Sequence, residues 1–183
     1  MSTKYNRGFE LGHWNDECGI AAVYGCKDAA KLCYLSLYSL QHRGQESAGI
    51  VSNSGSNYYV VKDMGLVSEV FDSENISYLK GSSAIGHVRY STTGSSNINN
   101  IQPLSSKTSK GKIAIAHNGN LTNAYTICKR LEKEGALFQS TVDSEIILHL
   151  FSRTKRKSLV AGMIETLEQI EGAFSLVVLG DDY

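Results

Sequence analysis

The sequence has no excess of charge of either sign, since its 183 residues contain 18 Lys and Arg against 18 Asp and Glu. A protein that attracts nucleic acid through its overall electrostatic field needs a surplus of basic residues, which this sequence lacks. No apolar run approaches the length of a membrane span, and residues 1–17 contain no apolar core of the kind found in secretory signals. We therefore expect a cytoplasmic protein that binds neither nucleic acid nor membranes, and whose ligands must be inferred from its sites.

The sequence also lacks a metal-binding cysteine pattern. Its four cysteines are Cys18, Cys26, Cys33 and Cys128. They form no CxxC pair and have no histidine at a metal-ligand spacing, which argues against a zinc or iron–sulfur site in this segment. In a reducing compartment all four are expected to be free thiols. We predict that Cys33 and Cys128 are small apolar residues on buried helix faces, and that this segment holds no metal or cofactor.

The most informative stretch is 15–24, where a polar lead-in changes at Cys18 into an unbroken apolar run. Such a run predicts a strand buried on both faces, with a reactive thiol at its start. Our hypothesis is that the peptide bond before Cys18 is cut in the mature protein. This cysteine would then supply both a nucleophilic sulfur and a free α-amine.

The rest of the chain alternates between short strand patterns and helical patterns, without internal repeats. Strands are predicted at 19–24, 48–51, 58–61, 83–90, 113–116 and 173–179. Helices are predicted after residue 28, after residue 120, from 141–143 and around 159–170, with one short helix within 65–79. Several strands are apolar on both faces and the helices are grouped late, which favours an α+β fold of two packed sheets covered by helices. The polar segment 91–111 is predicted to be a long loop, and such loops often carry binding residues.

Five short motifs carry a resemblance to a known family. They occupy residues 18–20, 40–46, 86–94, 117–121 and 142–145. In this order, and over nearly the whole chain after Cys18, they resemble the glutaminase domain of glutamine phosphoribosylpyrophosphate amidotransferase. The resemblance implies an N-terminal-nucleophile hydrolase with a four-layer αββα sandwich, which hydrolyses L-glutamine.

The chemistry of Cys18 agrees with this resemblance. A free thiol has a pKa of about 8.5 and is mostly protonated near neutral pH, so a base must be supplied. The α-amine of the same residue ordinarily has a pKa of about 8 and can be that base. In this interpretation His42, His87 and His117 orient loops. The alternative is a Cys–His pair in which one of these three histidines is the base.

An attacked amide also requires donors for the oxyanion. The segment 117–119, predicted as a turn from a buried strand into a helix, can direct the Asn118 side-chain amide and the Gly119 N–H at one point. The resemblance implies that these two residues form the oxyanion hole. A turn also favours Asn and Gly for conformational reasons alone.

Recognition of glutamine requires groups for its α-carboxylate and α-ammonium. The resemblance implies that Arg89 clamps the carboxylate, with Thr92 nearby, because a guanidinium forms paired hydrogen bonds with carboxylates. It implies that Asp143 binds the ammonium, although an acidic residue at a helix start is also favoured by capping, and Asp143 can do both. Arg43 resembles a further active-site arginine of the family.

The resemblance also implies a domain organisation. Residues 1–17 are expected to be a propeptide removed by self-cleavage, and residues 18–183 to be a class II glutamine amidotransferase domain that is truncated at its C-terminal end. In the family a C-terminal phosphoribosyltransferase domain uses the ammonia to make phosphoribosylamine, the committed step of purine synthesis. Full-length relatives use magnesium, some hold an iron–sulfur cluster in that other part, and we expect the full-length protein to be a homo-oligomer.

Two alternatives remain open on the sequence. One keeps the glutaminase and changes the ammonia acceptor, as in fructose-6-phosphate amidotransferase or asparagine synthetase. The residues that flank Arg43-Gly44 and Asn118-Gly119 argue against it, because those relatives carry other residues there. The second is a noncatalytic module derived from the same fold, which the intact set of candidate site residues disfavours.

Overall fold

The computed structural model describes residues 18–55, 57–90 and 97–181. The proposed propeptide and Thr92 lie outside these residues. Along the first half of the chain, the helices and strands are β1 (Gly19–Val23), α1 (Ala29–Ser39), β2 (Ser47–Asn53), β3 (Tyr58–Met64), α2 (Val67–Val70), α3 (Ser73–Tyr78) and β4 (Ser83–Arg89). Along the second half, they are β5 (Leu104–Thr108), β6 (Gly111–Leu121), α4 (Ala124–Lys133), α5 (Ser144–Arg153), α6 (Leu159–Leu167) and β7 (Gly172–Gly180).

The strands form two antiparallel sheets, and the fold is α+β. Sheet 1 has the order β1-β4-β2-β3, and sheet 2 has the order β5-β6-β7. In sheet 1, Ser47 of β2 lies opposite Arg89 of β4. In sheet 2, Asn118 of β6 lies opposite Ser175 of β7. The interior strands β4 and β6 therefore carry three of the candidate site residues, with Arg89 on β4 and Asn118 and Gly119 on β6.

Helix α1 packs closely on sheet 1. Its side chains Cys33 and Leu37 are fully buried, and they face Gly86 of β4. A Cβ at Gly86 would lie 2.7 Å from both Cys33 Sγ and Leu37 Cδ1, so glycine is what allows the helix to approach the strand this closely. The predicted buried position of Cys33 is confirmed.

Helices α4, α5 and α6 pack together with sheet 2 in a second apolar cluster. Its largest fully buried members are Ile113, Ile115, Leu131, Ile146, Ile147 and Phe151. Cys128 belongs to the same cluster and is also buried, as predicted. The apolar periodicity of the three helices thus accounts for their inward faces.

A third apolar cluster contains side chains of both sheets. Its buried members are Val51, Ile85, Ala114, Ala116 and Leu179. Nearby, the Tyr58 hydroxyl of β3 lies 2.9 Å from the Leu179 carbonyl oxygen and 3.1 Å from the Lys112 carbonyl oxygen. The small alanines of β6 leave room for a close approach of sheet 2 to β2 and β4 of sheet 1.

Three sequence predictions require correction. The segment 65–79 contains two short helices, α2 and α3, where one was predicted. The segment 91–111 is not all loop, because β5 lies within it and pairs with β6. Strand β1 is not buried on both faces, since it is the edge strand of sheet 1 and Ala22 is exposed.

The largest correction concerns β6. A break at 117–120 was predicted, but the strand continues to Leu121, which lies opposite Gly172 of β7. Pairing with β7 from Ile113 to Leu121 overrides the local turn preference of Asn118 and Gly119. The candidate oxyanion donors therefore lie within a strand, where the ladder fixes their backbone.

Two absences concern the described part of the chain only. Among these residues no helix is long and apolar enough to cross a membrane. Within the same residues no group of three or more His, Cys, Asp and Glu side chains is arranged to hold a metal ion.

Candidate active site

Cys18 lies immediately before β1 and is half-buried. Its carbonyl oxygen accepts a hydrogen bond from Asn118 Nδ2 at 2.9 Å and another from Arg43 Nε at 3.2 Å. Three candidate residues from distant parts of the sequence therefore meet at one peptide group. The candidate nucleophile is held beside the side chain proposed to stabilise the oxyanion.

The local structure explains how Arg43 reaches Cys18. A 3₁₀ turn, Gln41–Arg43, follows α1 and is closed by a hydrogen bond from the Gly44 N–H to the Gln41 carbonyl oxygen. A Cβ at Gly44 would lie 2.6 Å from the Val88 carbonyl carbon, so only glycine lets this turn rest on β4. The Gln41 side chain fastens the turn further, because its Oε1 accepts from the Val67 N–H at 2.6 Å.

Asn118 and Gly119 occupy neighbouring positions on β6. Gly119 has a φ of +139°, and a Cβ there would lie 2.3 Å from the Ala173 carbonyl oxygen of β7. The conformation and the close approach both require glycine. Asn118 Oδ1 is buried and has no hydrogen-bond partner among the described residues, so this acceptor is available to a ligand or to another group of the site.

Asp143 precedes α5 but does not cap it. Its backbone is helical, with φ −62° and ψ −28°, and its side chain makes no capping hydrogen bond. An N-cap residue usually has an extended backbone that lets the side chain reach the following N–H groups. The Asp143 carboxylate instead accepts from the Leu121 N–H of β6 at 2.9 Å, so the predicted capping role is wrong.

His87 and His117 are both buried and linked to each other. His87 Nε2 donates to the His117 carbonyl oxygen at 3.2 Å. Burial lowers the pKa of His87 to about 3, and the nearby charge of Arg89 acts in the same direction while the hydrogen bond to the His117 carbonyl opposes it. A base with such a low pKa is poorly matched to proton abstraction near neutral pH. This observation disfavours His87 as the base of a Cys–His pair.

His117 faces the start of α5. Its Nδ1 lies 2.9 Å from Ser144 Oγ and 3.6 Å from Asp143 Oδ1. Its backbone N–H donates to Gln102 Oε1 at 2.8 Å. The imidazole therefore connects β6 with Asp143, as expected of a residue that orients a loop.

Arg89 is the last residue of β4, where the sequence placed it, and its side chain has a partner that the sequence analysis missed. Arg89 Nη1 lies 3.4 Å from Glu46 Oε1, and the two side chains are only 21% and 12% exposed. The Glu46 N–H also donates to the Arg89 carbonyl oxygen. Because a guanidinium has five N–H donors, this contact leaves others for a substrate carboxylate.

Comparisons with known proteins agree with this geometry. A family model described as a glutamine amidotransferase domain matches residues 87–182, which is more than half of the 183 residues. The chain belongs to this glutamine amidotransferase domain family.

Relatives of this amidotransferase domain include amidophosphoribosyltransferases from plants, bacteria and archaea. The chloroplastic enzyme of Vigna aconitifolia is 44% identical over 167 residues, which are 91% of this chain and 34% of that protein. The enzyme of Methanothermobacter thermautotrophicus is 47% identical over 169 residues, 90% of this chain and 36% of its own length. The chain thus spans about a third of the length of these curated relatives.

Solved structures also resemble the amidotransferase domain. A structure described as the allosteric regulatory enzyme of purine biosynthesis superposes with a TM-score of 0.85 at 39% identity, covering 88% of this chain and 35% of that one. The glutamine phosphoribosylpyrophosphate amidotransferase of Bacillus subtilis, complexed with ADP and GMP, gives a TM-score of 0.83 at 38% identity. At these identities the likeness supports the family as well as the fold.

Within this amidotransferase domain, sequence reasoning missed three side chains that hold the candidate residues in place. They are Glu46, Gln102 and Ser144. Glu46 and Ser144 stand inside the motifs at 40–46 and 142–145, so each was visible as a motif residue without a role. Gln102 lay in a segment predicted as loop, and nothing in its neighbourhood indicated that it would bond to both backbone groups of His117.

Proposed function

We propose that the chain is the glutaminase region of an amidophosphoribosyltransferase, in which Cys18 hydrolyses L-glutamine and releases ammonia. The observation that carries the proposal is the meeting of Cys18, Asn118 and Arg43 at the Cys18 carbonyl group. A noncatalytic module would have no need to hold a half-buried thiol residue beside an amide donor.

The reaction begins when Cys18 Sγ attacks the γ-carboxamide carbon of glutamine. A tetrahedral oxyanion forms, and its collapse breaks the C–N bond and leaves a γ-glutamyl thioester on Cys18. Ammonia departs with a proton delivered from the α-amine, which had accepted it from the thiol. Water then attacks the thioester, releasing glutamate and restoring the thiol.

The oxyanion is stabilised by the Asn118 side-chain amide and the Gly119 N–H. A primary amide has two N–H donors, and one of those on Asn118 already bonds to Cys18. The second is available to the developing charge, and the β6–β7 ladder holds both residues before substrate binds. Removing one such donor from an oxyanion hole typically slows a reaction by about 10²–10³-fold.

Glutamine is recognised at its two charged groups. Arg89 binds the α-carboxylate with the guanidinium donors that Glu46 does not use, and Thr92 lies close to it in sequence. Asp143 binds the α-ammonium through its carboxylate, whose orientation is set from β6. Arg43 keeps Cys18 in place through its carbonyl group.

The α-amine becomes available when residues 1–17 are removed as a propeptide. Support comes from the buried Asn118 Oδ1, an acceptor beside Cys18 that suits the α-amine of Cys18.

We also infer that the fold is the four-layer αββα sandwich of N-terminal-nucleophile hydrolases. The supporting observation is that α1 packs with sheet 1, α4 to α6 pack with sheet 2, and one apolar cluster contains residues of both sheets.

The ammonia serves phosphoribosylamine formation from phosphoribosylpyrophosphate, carried out by a phosphoribosyltransferase domain in the rest of the full-length protein. That domain is the partner of this one, and its reaction is where magnesium acts. The full-length protein is proposed to be a cytoplasmic homo-oligomer, and any iron–sulfur cluster would be held by its other part. The share of about a third that the chain covers in its relatives supports this division.

The experiment that tests the proposal measures glutamate release from L-glutamine, together with the intact mass of the purified protein. Cys18→Ser should abolish hydrolysis, and the active wild-type chain should begin at Cys18. Cys26→Ser is the matched control, because Cys26 is also a half-buried free cysteine but makes none of the contacts of the site. Equal rates for wild type and Cys18→Ser, or full activity of a chain that retains residues before Cys18, would refute the mechanism.

A further inference from the structure

The carboxylate of Asp143 is held from two directions by groups that the catalytic steps do not use. Oδ2 accepts from the Leu121 N–H at 2.9 Å. Oδ1 lies 3.4 Å from Ser144 Oγ and 3.6 Å from His117 Nδ1. The carboxylate therefore cannot rotate freely, although its own backbone position provides no capping bond to restrain it.

The hydrogen bonds that connect His117, Ser144 and Asp143 Oδ1 have a defined direction. An ionised carboxylate only accepts, so the Ser144 hydroxyl donates to Asp143. The hydroxyl has one proton, so its 2.9 Å contact with His117 Nδ1 requires the imidazole to donate. The chain of donors runs from His117 Nδ1–H through Ser144 Oγ–H to Asp143 Oδ1.

His117 is itself fixed and lies next to the proposed oxyanion donor. Its backbone N–H donates to Gln102 Oε1, and its carbonyl oxygen accepts from Gln102 Nε2 and His87 Nε2. His117 is 3% exposed and Ser144 is fully buried, so solvent does not compete for these bonds. The Asp143 carboxylate is thus held by His117 of β6, the strand that also carries Asn118 and Gly119.

We infer that His117 and Ser144 are positioning residues that aim the Asp143 carboxylate at the α-ammonium of glutamine. This inference rests on the proposed function and adds to it the means by which the enzyme discriminates substrates that have an α-amino group. Ser144 acts on specificity through Asp143, not on the attack by Cys18. Its loss should therefore be felt only by substrates that carry the ammonium.

The test compares L-glutamine with glutaramate, the same γ-carboxamide without the α-amino group. Ser144→Ala should lower kcat/KM for glutamine about tenfold, mainly through KM, because a hydrogen bond to a charged group is lost. It should change kcat/KM for glutaramate less than about twofold, since that substrate has no ammonium for Asp143 to bind. Asp143→Asn should remove most of the discrimination between the two substrates.

The matched control is Ser52→Ala in β2. Ser52 is also fully buried, and its hydroxyl donates to the Lys80 carbonyl oxygen at 2.8 Å, away from the site. Thermal unfolding of both alanine variants measures the structural cost of losing a buried, bonded hydroxyl. Ser52→Ala should leave the ratio of the two kcat/KM values unchanged.

Two variants of His117 separate positioning from packing. His117→Asn keeps an N–H donor near the position of Nδ1 and should retain most of the discrimination, whereas His117→Leu should lose it. Equal loss of kcat/KM for both substrates in Ser144→Ala would overturn the inference while leaving the proposed function intact. A wild type that hydrolyses both substrates equally well would overturn it as well. Absence of glutamine hydrolysis by the wild type would overturn the proposed function and the inference together.

Discussion

Replacement of Gly119 by alanine tests the continuation of β6 beyond residue 117. A Cβ at this position would lie 2.3 Å from the Ala173 carbonyl oxygen, 2.5 Å from Phe174 Cα and 2.7 Å from Phe174 Cβ. Two of these atoms belong to the backbone of β7, which cannot move without breaking the ladder. The φ of +139° adds strain for any residue other than glycine.

The expected destabilisation of Gly119→Ala has two parts, the backbone strain and the steric overlap with β7. Backbone strain of this kind costs about 1–3 kcal/mol, and forced overpacking about 1–3 kcal/mol more. A total of about 2–6 kcal/mol should lower the Tm by about 4–24 °C for a domain of this size. Thermal unfolding followed by circular dichroism measures the shift.

Gly135→Ala is the matched control. Gly135 also has a positive φ, +86°, but a Cβ there would meet nothing within 4 Å. Only the strain of about 1–2 kcal/mol remains, so the Tm should fall by about 2–8 °C. If Gly119→Ala lowers the Tm no more than Gly135→Ala does, then residue 119 is not packed against β7 and the paired strand is wrong.

Three further predictions concern other parts of the fold. Burial alone would raise the pKa of Glu145, but hydrogen bonds from His149, Ser140 and the Gln139 N–H outweigh it and lower the pKa to about 2 from 4.5. This carboxylate therefore stabilises the fold above pH 4.5, and that contribution disappears as the pH falls from about 5 to 2. Glu145→Gln should lower the free energy of unfolding at pH 7 by about 1–2 kcal/mol after allowance for solvent screening, and should flatten its dependence on pH in chemical denaturation. An unchanged pH dependence would contradict the lowered pKa of Glu145. Burial raises the pKa of the Cys33 thiol to about 12, so at pH 8 only about one thiol in 10⁴ is ionised. Iodoacetamide should therefore leave Cys33 unmodified until the protein is unfolded, as measured by mass spectrometry. Labelling of Cys33 in the folded protein as fast as that of Cys26 would show that Cys33 is not buried. Tyr58→Phe removes the hydroxyl that lies between the Lys112 and Leu179 carbonyl oxygens. It should lower the free energy of unfolding, measured by chemical denaturation, by about 1–2 kcal/mol. An unchanged free energy of unfolding would argue against this contact between the sheets.

Much of the fold was predictable where a local pattern and its tertiary environment agree. The apolar run Ile113 to Ala116 is a strand buried on both faces, and Gly135 follows α4 with the positive φ that a helix end favours. Strand β5 was missed because it is polar and lies at a sheet edge, with three of its five residues exposed. Only its pairing with β6 makes it a strand, and a single sequence does not encode that pairing in a local pattern.

The candidate site was also predictable only in part: the motifs identified its members but not the contacts that orient them. The motifs identified Cys18, Arg43 and Asn118 as members of one set, and the structure brings them together. The contacts that orient the other members join residues far apart in sequence, such as Glu46 with Arg89, 43 positions apart. Such pairs depend on the register of neighbouring strands, which the motifs do not specify.

The low pKa of His87 also restricts how the protein can respond to acidity. The folded chain keeps this imidazole uncharged down to about pH 3, while the unfolded chain takes up a proton below about 6.5. Acidification therefore favours the unfolded state by up to about 1.4 kcal/mol for each pH unit below 6.5, a penalty that accumulates until the folded protein also binds the proton. Any inflection near neutrality in the rate of glutamine hydrolysis must accordingly be traced to a different titrating group, and a His87→Asn enzyme that remains folded should keep that inflection.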